Sequence, residues 1–285
     1  MQDNVTLWKV EEMARVLGVS RSGYYHFYHR KISKRQQENE KLQEMIKTIF
    51  SRSRRTYGSP RIHAELKAQG VNLSRPRVAR LMKQLGLAAK MQSLFKVTTR
   101  VNKKQAVAPN LLQQNFTAAT PDSKWVADIS YIRTLEGWLY IAVILDLYSR
   151  KVVGLSMGNS LHTELVTQAL EQALQRRNPT HSLQHHSDKG CQYTSAIFQK
   201  LLTDNGIICS MSSTGCCFDN AVAESFFHSL KTECVYFERY ESREQAKQSI
   251  FEYIEVFYNN HRRHSTLGYL SPVQFERRFY QRLAS

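Results

Sequence analysis

Across residues 210–233 the chain passes from a Gly-containing loop into a run with helical apolar spacing. At about 100° per residue, Val222, Ala223, Phe226, Phe227, Leu230 and Cys234 form one broad apolar stripe. Asn220, Glu224, His228 and Lys231 line its edge. Asp219 or Asn220 is placed to cap this helix, since a short polar side chain before an apolar run accepts the first free backbone N–H groups. The pattern predicts a packed helix that holds one carboxylate, Glu224, at the lip of its buried face.

Upstream of it the period is that of strands. Residues 124–132 alternate, residues 138–146 are continuously apolar and rich in β-formers, and residues 151–157 give a third strand. Gly137 lies between the first two, as a hairpin requires. Residues 161–176 then read as a helix with Leu165, Val166, Ala169, Leu170, Ala173 and Leu174 on one side. A short strand ending at Asp188, a helix over 194–205 and a strand over 206–209 follow. Three strands in series and then alternating helix and strand predict a mixed α/β sheet with helices on its faces.

The front of the chain is helical throughout. Residues 8–29 read as helix, turn at Gly18 and a second helix capped by Ser20. This suits a helix-turn-helix, with Arg21, Tyr24, Tyr25 and His26 toward DNA, and equally a plain helical hairpin. In residues 34–50, Leu42, Met45, Ile46, Ile49 and Phe50 give an otherwise charged helix one apolar side, for packing or for dimerisation. Ser59-Pro60, and Ser74 followed by Pro76, mark two further helix starts. Residues 88–120 show no sustained period and read as a linker. The organisation is thus 1–33 a helix-turn-helix-like module, 34–87 a basic helical module, 88–120 a linker, and 121–285 an α/β domain with a helical C-terminal extension. In that extension Tyr258, Asn259, Arg262 and His264 are expected to brace the domain or touch DNA.

Charge separates the two halves more sharply than periodicity does. The net charge is +16. Residues 1–110 carry 23 Lys and Arg against 7 Asp and Glu, whereas residues 111–285 carry 17 of each. An anion-binding front half follows, most simply one for nucleic acid, with Arg54, Arg55, Arg61, Arg75, Arg77 and Arg80 as phosphate contacts that position without specifying. No apolar run approaches the roughly 20 residues of a membrane helix. The start lacks the layout of a signal peptide, so the expectation is a cytoplasmic protein with no membrane partner. The five cysteines, unevenly placed and without a CxxC pair, indicate neither a disulfide framework nor a zinc site.

Asp128 and Asp188 fall at or near predicted strand ends, where sites form in α/β sheets. With Glu224 they make three carboxylates on separate elements, the donor set that hard divalent cations such as Mg²⁺ need for phosphoryl transfer. On spacing alone each aspartate is as readily a cap or turn residue, and Asp146 competes for the first position.

The segments WVADISYI, LYIAVILDLYSRKVVG, HHSDKGCQYTS, SMSSTGCCFDNAVAESFFHSLKTE and YNNHRRHSTLGYLSPVQFE resemble the catalytic half of the transposases of bacterial insertion-sequence family three, the downstream reading-frame product. That family has a ribonuclease H-like, retroviral-integrase core whose signature is Asp, Asp, then 35 residues, then Glu, and 35 residues separate Asp188 from Glu224 here. The resemblance implies that Asp128, Asp188 and Glu224 are catalytic and hold two Mg²⁺ ions, for which Mn²⁺ can substitute. It implies strand cleavage and transfer on double-stranded DNA, both element ends and target, by a homo-oligomer, with the upstream-frame product as a further partner in a bacterial, nucleoid-associated setting. Lys231 is placed for a phosphate contact or for plain solvation; His186, Gln192 and Asn220 are expected to support the site. Ala127, Lys189, Cys191, Cys216 and Phe218 depart from the family's usual residues, and the adjacent Cys216 and Cys217 suggest a loop sensitive to oxidation. A hydrolytic nuclease on the same core, or a DNA-binding regulator, are the competing readings.

Overall fold

The computed structural model describes residues 1–29, 33–90, 108–179, 182–212 and 217–284. Helices α1 (Val10–Val16) and α2 (Arg21–Tyr28) form the expected hairpin. Ser20 Oγ caps α2 by accepting from the Gly23 N–H at 3.0 Å, and Gly18, at φ +65°, makes the turn. Helices α3 (Lys34–Arg52), α4 (Ser59–Ala68) and α5 (Arg75–Gln84) pack together. Leu42, Ile46, Ile49 and Phe50 of α3 are buried in one core with Ile62 and Leu66 of α4 and Val78, Leu81 and Met82 of α5. The apolar side of α3 is therefore used within the chain rather than offered for dimerisation.

The central sheet consists of β1 (Lys124–Thr134), β2 (Gly137–Asp146), β3 (Val152–Gly158), β4 (Gln184–Ser187) and β5 (Ile208–Met211), in the order β3-β2-β1-β4-β5. The first three strands pair antiparallel, and β4 and β5 join them parallel. Side-chain alternation divides the sheet into two faces. Trp125 and Ala127 of β1 enter one core with Ala142, Ile144, Val153 and the buried sides of α6 (Thr163–Arg177) and α7 (Ala196–Asp204). Val126 and Ile132 enter the other, with Ile141, Val143, Leu145 and the buried sides of α8 (Ala221–Glu233) and α9 (Arg243–Phe251). On the first face a Cβ at Gly154 would lie 2.3 Å from the Ala169 carbonyl oxygen, so the close seat of α6 on β3 depends on that glycine.

Two expectations about organisation need correction. The basic helical module shares its core with the α8 face of the sheet. Tyr57, between α3 and α4, donates its hydroxyl to the His261 carbonyl at 3.1 Å and accepts from the Arg263 N–H at 2.8 Å, while Arg263 pairs with Glu65. The second departure concerns the linker, whose residues 91–107 lie outside the described ones. Its described remainder, 108–120, is packed: Leu112 is buried, the Leu111 N–H donates to Ser210 Oγ at 3.0 Å, and Arg150 donates to the Phe116 carbonyl at 3.0 Å. A stretch without sequence period still acquires order where its backbone finds partners on the sheet edge.

The C-terminal extension braces the sheet as expected. Asn259 both accepts from the Val152 N–H and donates to the Val152 carbonyl, and Tyr258 donates to the Arg150 carbonyl. Helix α10 (Pro272–Leu283) starts with a capping box at Ser271 and Gln274 and carries the buried Glu276. That carboxylate pairs with Arg177 and Lys151, each at 3.1 Å, and Arg177 also reaches Asp122 at 2.8 Å. No described helix is long and apolar enough to cross a membrane.

Candidate active site

Asp128 lies on β1 two residues beyond Val126 and so points to the α8 side of the sheet. The parallel pairing of β1 with β4 runs Lys124 to Gln184, Trp125 to His185 and Val126 to His186. Asp188 follows just past the end of β4, on the course that leads toward Asp128, and its charge acts on Asp128. There β4 ends and β1 continues unpaired on that edge, opening a cleft against the first turn of α8. Helix α8 is turned by Ala223, Phe226, Phe227 and Leu230, which are buried, and this leaves Glu224 and His228 exposed and Lys231 half-buried.

The electrostatics register this convergence. Asp128 is pushed up to about 8, first by burial and then by the charges of Asp188 and Glu224, against the Ile129 N–H and Lys231, which favour its ionised form. Asp188 and Glu224 are raised as well, each chiefly by burial. Both aspartates have one oxygen oriented by nearby backbone. Ile129 N–H donates to Asp128 Oδ1 at 2.8 Å and Gly190 N–H to Asp188 Oδ1 at 2.9 Å. A Cβ at Gly190 would stand 3.0 Å from that Asp188 oxygen. Lys231 is lowered by burial, opposed by Tyr131 and Asp128, and its Nζ stands 5.6 Å from the Tyr131 ring centre.

The three residues expected to support the site have different partners. Asn220 is buried and its Nδ2 donates to the Ala127 carbonyl at 3.1 Å, next to Asp128. It occupies the N-cap position of α8 yet makes no side-chain cap, so the expectation of capping is replaced by this cross-link. Asp219 does not cap either; it accepts from Asn110 Nδ2 at 2.9 Å. Gln192 is buried and donates to the Leu161 carbonyl at 3.0 Å. His186 lies between Ser210 Oγ at 2.8 Å and Ser212 Oγ at 3.2 Å, and burial pushes it down to about 4, which keeps it neutral. Cys216 and the Cys217 side chain lie outside the described residues.

The expected phosphate contacts also divide. Arg55, Arg75 and Arg80 are exposed. Arg61 instead turns inward, pairing with Glu233 at 3.3 Å and stacking over Tyr57, while Arg54 pairs with Glu252 at 3.4 Å and Arg77 with Glu38 at 3.0 Å. Arg21 pairs with Glu11 at 3.2 Å on the surface. Acidic partners distant in sequence take up these guanidinium groups, which local charge density could not reveal.

The sequence matches the integrase core domain over residues 118–217 and again over 224–279, and an HTH-like domain over 36–93. It is 44% identical over 271 residues to the transposase InsF for insertion sequence IS3A of Escherichia coli K12, covering 94% of each chain. The chain belongs to the IS3 family of transposases. It is also 43% identical over 272 residues to the IS600 uncharacterized 31 kDa protein of Shigella sonnei, covering 95% of this chain and all of that one. Among solved structures it is similar to the simian T-cell lymphotropic virus intasome, at 15% identity and a TM-score of 0.48, over 75% of this chain and 70% of that one. It is similar as well to the HTLV-2 integrase catalytic core in complex with magnesium, at 15% identity and 0.44, over 56% and 99%.

As an IS3-family transposase the chain is a polynucleotidyl transferase that acts on DNA, with an integrase-type sheet and HTH-like helices. Asp128 and Asp188 lie within the first integrase-core match, and Glu224 opens the second. Sequence reasoning missed one feature of this transposase. Glu233, near the end of α8, is buried and accepts from Arg262 at 2.6 and 2.7 Å and from the Tyr253 hydroxyl at 2.9 Å, which anchors the helix that bears Glu224. Tyr193 is buried with its hydroxyl unpartnered among the described residues, and Asp128 and Asp188 help to raise it far above its ordinary value. For Glu233 the only advance signal is a carboxylate in the last turn of a helix with one apolar stripe.

Proposed function

We propose that this transposase cleaves element ends and joins the 3′-hydroxyl to a second phosphodiester through Asp128, Asp188 and Glu224, with Mg²⁺ as the metal and two ions per site. The observation that carries this reading is the parallel β1–β4 pairing, Val126 opposite His186, together with the charges of Asp188 and Glu224 acting on Asp128. The donors suit such a cation. They are hard oxygens, and Asp128 is held up to about 8 by burial and by two like charges, a state that a divalent cation relieves. Among the described residues no three such groups form a cluster able to hold a metal ion.

When bound, the metal pair supplies Lewis-acid activation of the attacking oxygen and stabilisation of the leaving one. The chain's own contribution is orientation. Ile129 and Gly190 N–H groups fix one oxygen of each aspartate; Asn220 holds the approach to α8 against β1. Lys231 adds positive charge on the edge where a phosphodiester would lie. Joining two ends calls for more than one copy, and an upstream-frame product as partner belongs to the same proposal.

The test is strand transfer on end-containing DNA with Mg²⁺, repeated with Mn²⁺ and with Glu224→Gln. Joined products that disappear in the variant, by more than about 100-fold, support the reading, since even outer ligands of metal sites are worth 10 to 100-fold. Cleavage without joining points to the nuclease, and DNA binding without metal-dependent chemistry to a regulator.

A further inference from the structure

The β1–β2 hairpin extends beyond the carboxylates and carries an exposed aromatic group. Tyr131 and Tyr140 are direct cross-strand partners, as are Arg133 and Trp138, so all four side chains share one face. Tyr131 is 41% exposed and Trp138 45%. Their rings meet edge to face at 5.0 Å, and Tyr140 stands 6.5 Å from Tyr131. Isolated exposed apolar residues need no explanation, but a contiguous aromatic group on a strand that leads out of a catalytic cleft does.

Three observations bear on what covers it. Charge is the first: Arg133 is exposed on the same face, and Lys231 of α8 stands with its Nζ 5.6 Å from the Tyr131 ring centre while interacting with Asp128. Cationic groups interleaved with open π-faces match a strand that alternates phosphate and base. Position is the second. Tyr131 follows Asp128 by three residues, about 10 Å along the strand and on its opposite face, and Lys231 interacts with both. The third is rigidity. The hairpin tip is held from α9, where Arg243 Nε donates to the Trp138 carbonyl at 3.0 Å and the Arg243 N–H to Glu136 at 2.8 Å, and the Leu135 N–H donates to the Tyr240 carbonyl at 3.1 Å. A fixed platform loses little entropy when a ligand stacks on it.

We propose that Tyr131, Trp138 and Tyr140, flanked by Arg133 and Lys231, form a stacking platform for unpaired bases of the DNA strand next to the reacting phosphodiester. Bases in a duplex already have their faces covered by neighbours, so only an unstacked nucleotide offers a face to these rings. The site therefore selects DNA ends that are frayed or single-stranded beside the cleft. This rests on the chain being a DNA transposase and adds a specificity determinant to it.

The test uses the full chain carrying Glu224→Gln, so that nothing is cut. Binding is measured for a labelled duplex that is fully paired and for the same duplex ending in a short unpaired thymine tract. The native aromatics should favour the tailed duplex. Tyr131→Ala with Trp138→Ala should weaken the tailed duplex by about 10-fold more than the paired one, as a lost base stack implies, and Trp138→Phe should restore most of the difference. Equal weakening of both duplexes, or no tail preference at the outset, overturns the proposal. A change of oligomeric state with unchanged DNA affinity overturns it in favour of a contact between copies. Failure of the transposase reading itself is seen separately, as absence of metal-dependent joining by the native chain, which leaves the tail preference to be judged alone.

Discussion

The side-chain amide of Asn220 donates to the carbonyl oxygen of Ala127 at 3.1 Å, and so ties the residue four before Glu224 to the residue just before Asp128. The segments that carry two of the carboxylates proposed for the site, from distant parts of the chain, are thereby tied together through one buried hydrogen bond. Asn220→Ala is expected to cost about 1 to 3 kcal/mol of stability, the usual consequence of removing one partner from a buried pair. Its larger effect should be on chemistry: strand transfer falls by about 10 to 100-fold and half-saturation by Mg²⁺ moves to higher concentration. A metal titration of joining distinguishes this from simple loss of stability, which would leave the Mg²⁺ dependence of the folded fraction unchanged.

Asp146 and Asp128 face different partners, and their substitution should separate. Asp146 is fully buried at the end of β2, accepts from the Tyr148 N–H and Ser149 Oγ, each at 3.1 Å, and is pushed up to about 7, mainly by burial. Its surroundings are Arg177, Glu276 and Asp122, not the cleft. Asp128→Asn should abolish joining and leave the unfolding temperature of the metal-free protein equal or higher, because a mutual repulsion is removed. Asp146→Asn should keep joining near the native level and lower the unfolding temperature by a few degrees, about 2 to 4 °C per kcal/mol in a chain of this size. Thermal unfolding and strand transfer on the same preparations check both.

The arginines of the front half divide by where they point. Arg75→Ala and Arg80→Ala, both at exposed positions on α5, should weaken duplex binding uniformly across sequences and lower the slope of log affinity against log salt by about 0.9 per lost phosphate contact. Arg61→Ala should leave that slope unchanged and destabilise the fold, since Arg61 serves Glu233 inside the protein. Binding measured across a salt series tells them apart.

His185 is fully buried among Trp125, Tyr193 and Phe198, its ring nitrogens are unpartnered among the described residues, and burial pushes it down to about 3. Its folded value lies below the unfolded one, so the unfolded chain takes up a proton that the folded chain refuses between about pH 3 and 6.5. The stability tied to its neutral form is present above about pH 6.5 and is lost as the pH falls. Asp146, raised toward 7, acts with the opposite sign over part of this window, so the measurement is a difference. The stability of His185→Phe relative to the native chain should grow as the pH is lowered from 7.5 to 5, by chemical denaturation at each pH. A constant difference would contradict the assignment.

Much of the architecture can be read along the chain because it rests on local periods. The alternation in residues 124–132, the apolar run of β2 and the stripe of α8 each follow from a backbone geometry that repeats every 2 or about 3.6 residues, and each recurs in the fold within a residue or two at its ends. The 35-residue interval between Asp188 and Glu224 is equally a property of the sequence. What could not be read is whatever depends on two distant segments meeting. The guanidinium of Arg61 looks like any other phosphate contact until Glu233 stands beside it, and residues 108–120 look like linker until Ser210 and Asp219 supply partners.

The sequence by itself determined the three carboxylates, the rotation of α8 that presents Glu224, and the basic character of the front half, since composition, spacing and helical phase are written residue by residue. Only the tertiary structure decided that β1 and β4 pair in parallel and bring the charge of Asp188 onto Asp128, that Asn220 spans to Ala127 instead of capping its helix, and that Tyr131, Trp138 and Tyr140 gather beside Lys231. Those relationships arise from strand order and packing, where one pair of backbone hydrogen bonds sets the neighbours of every residue beyond it.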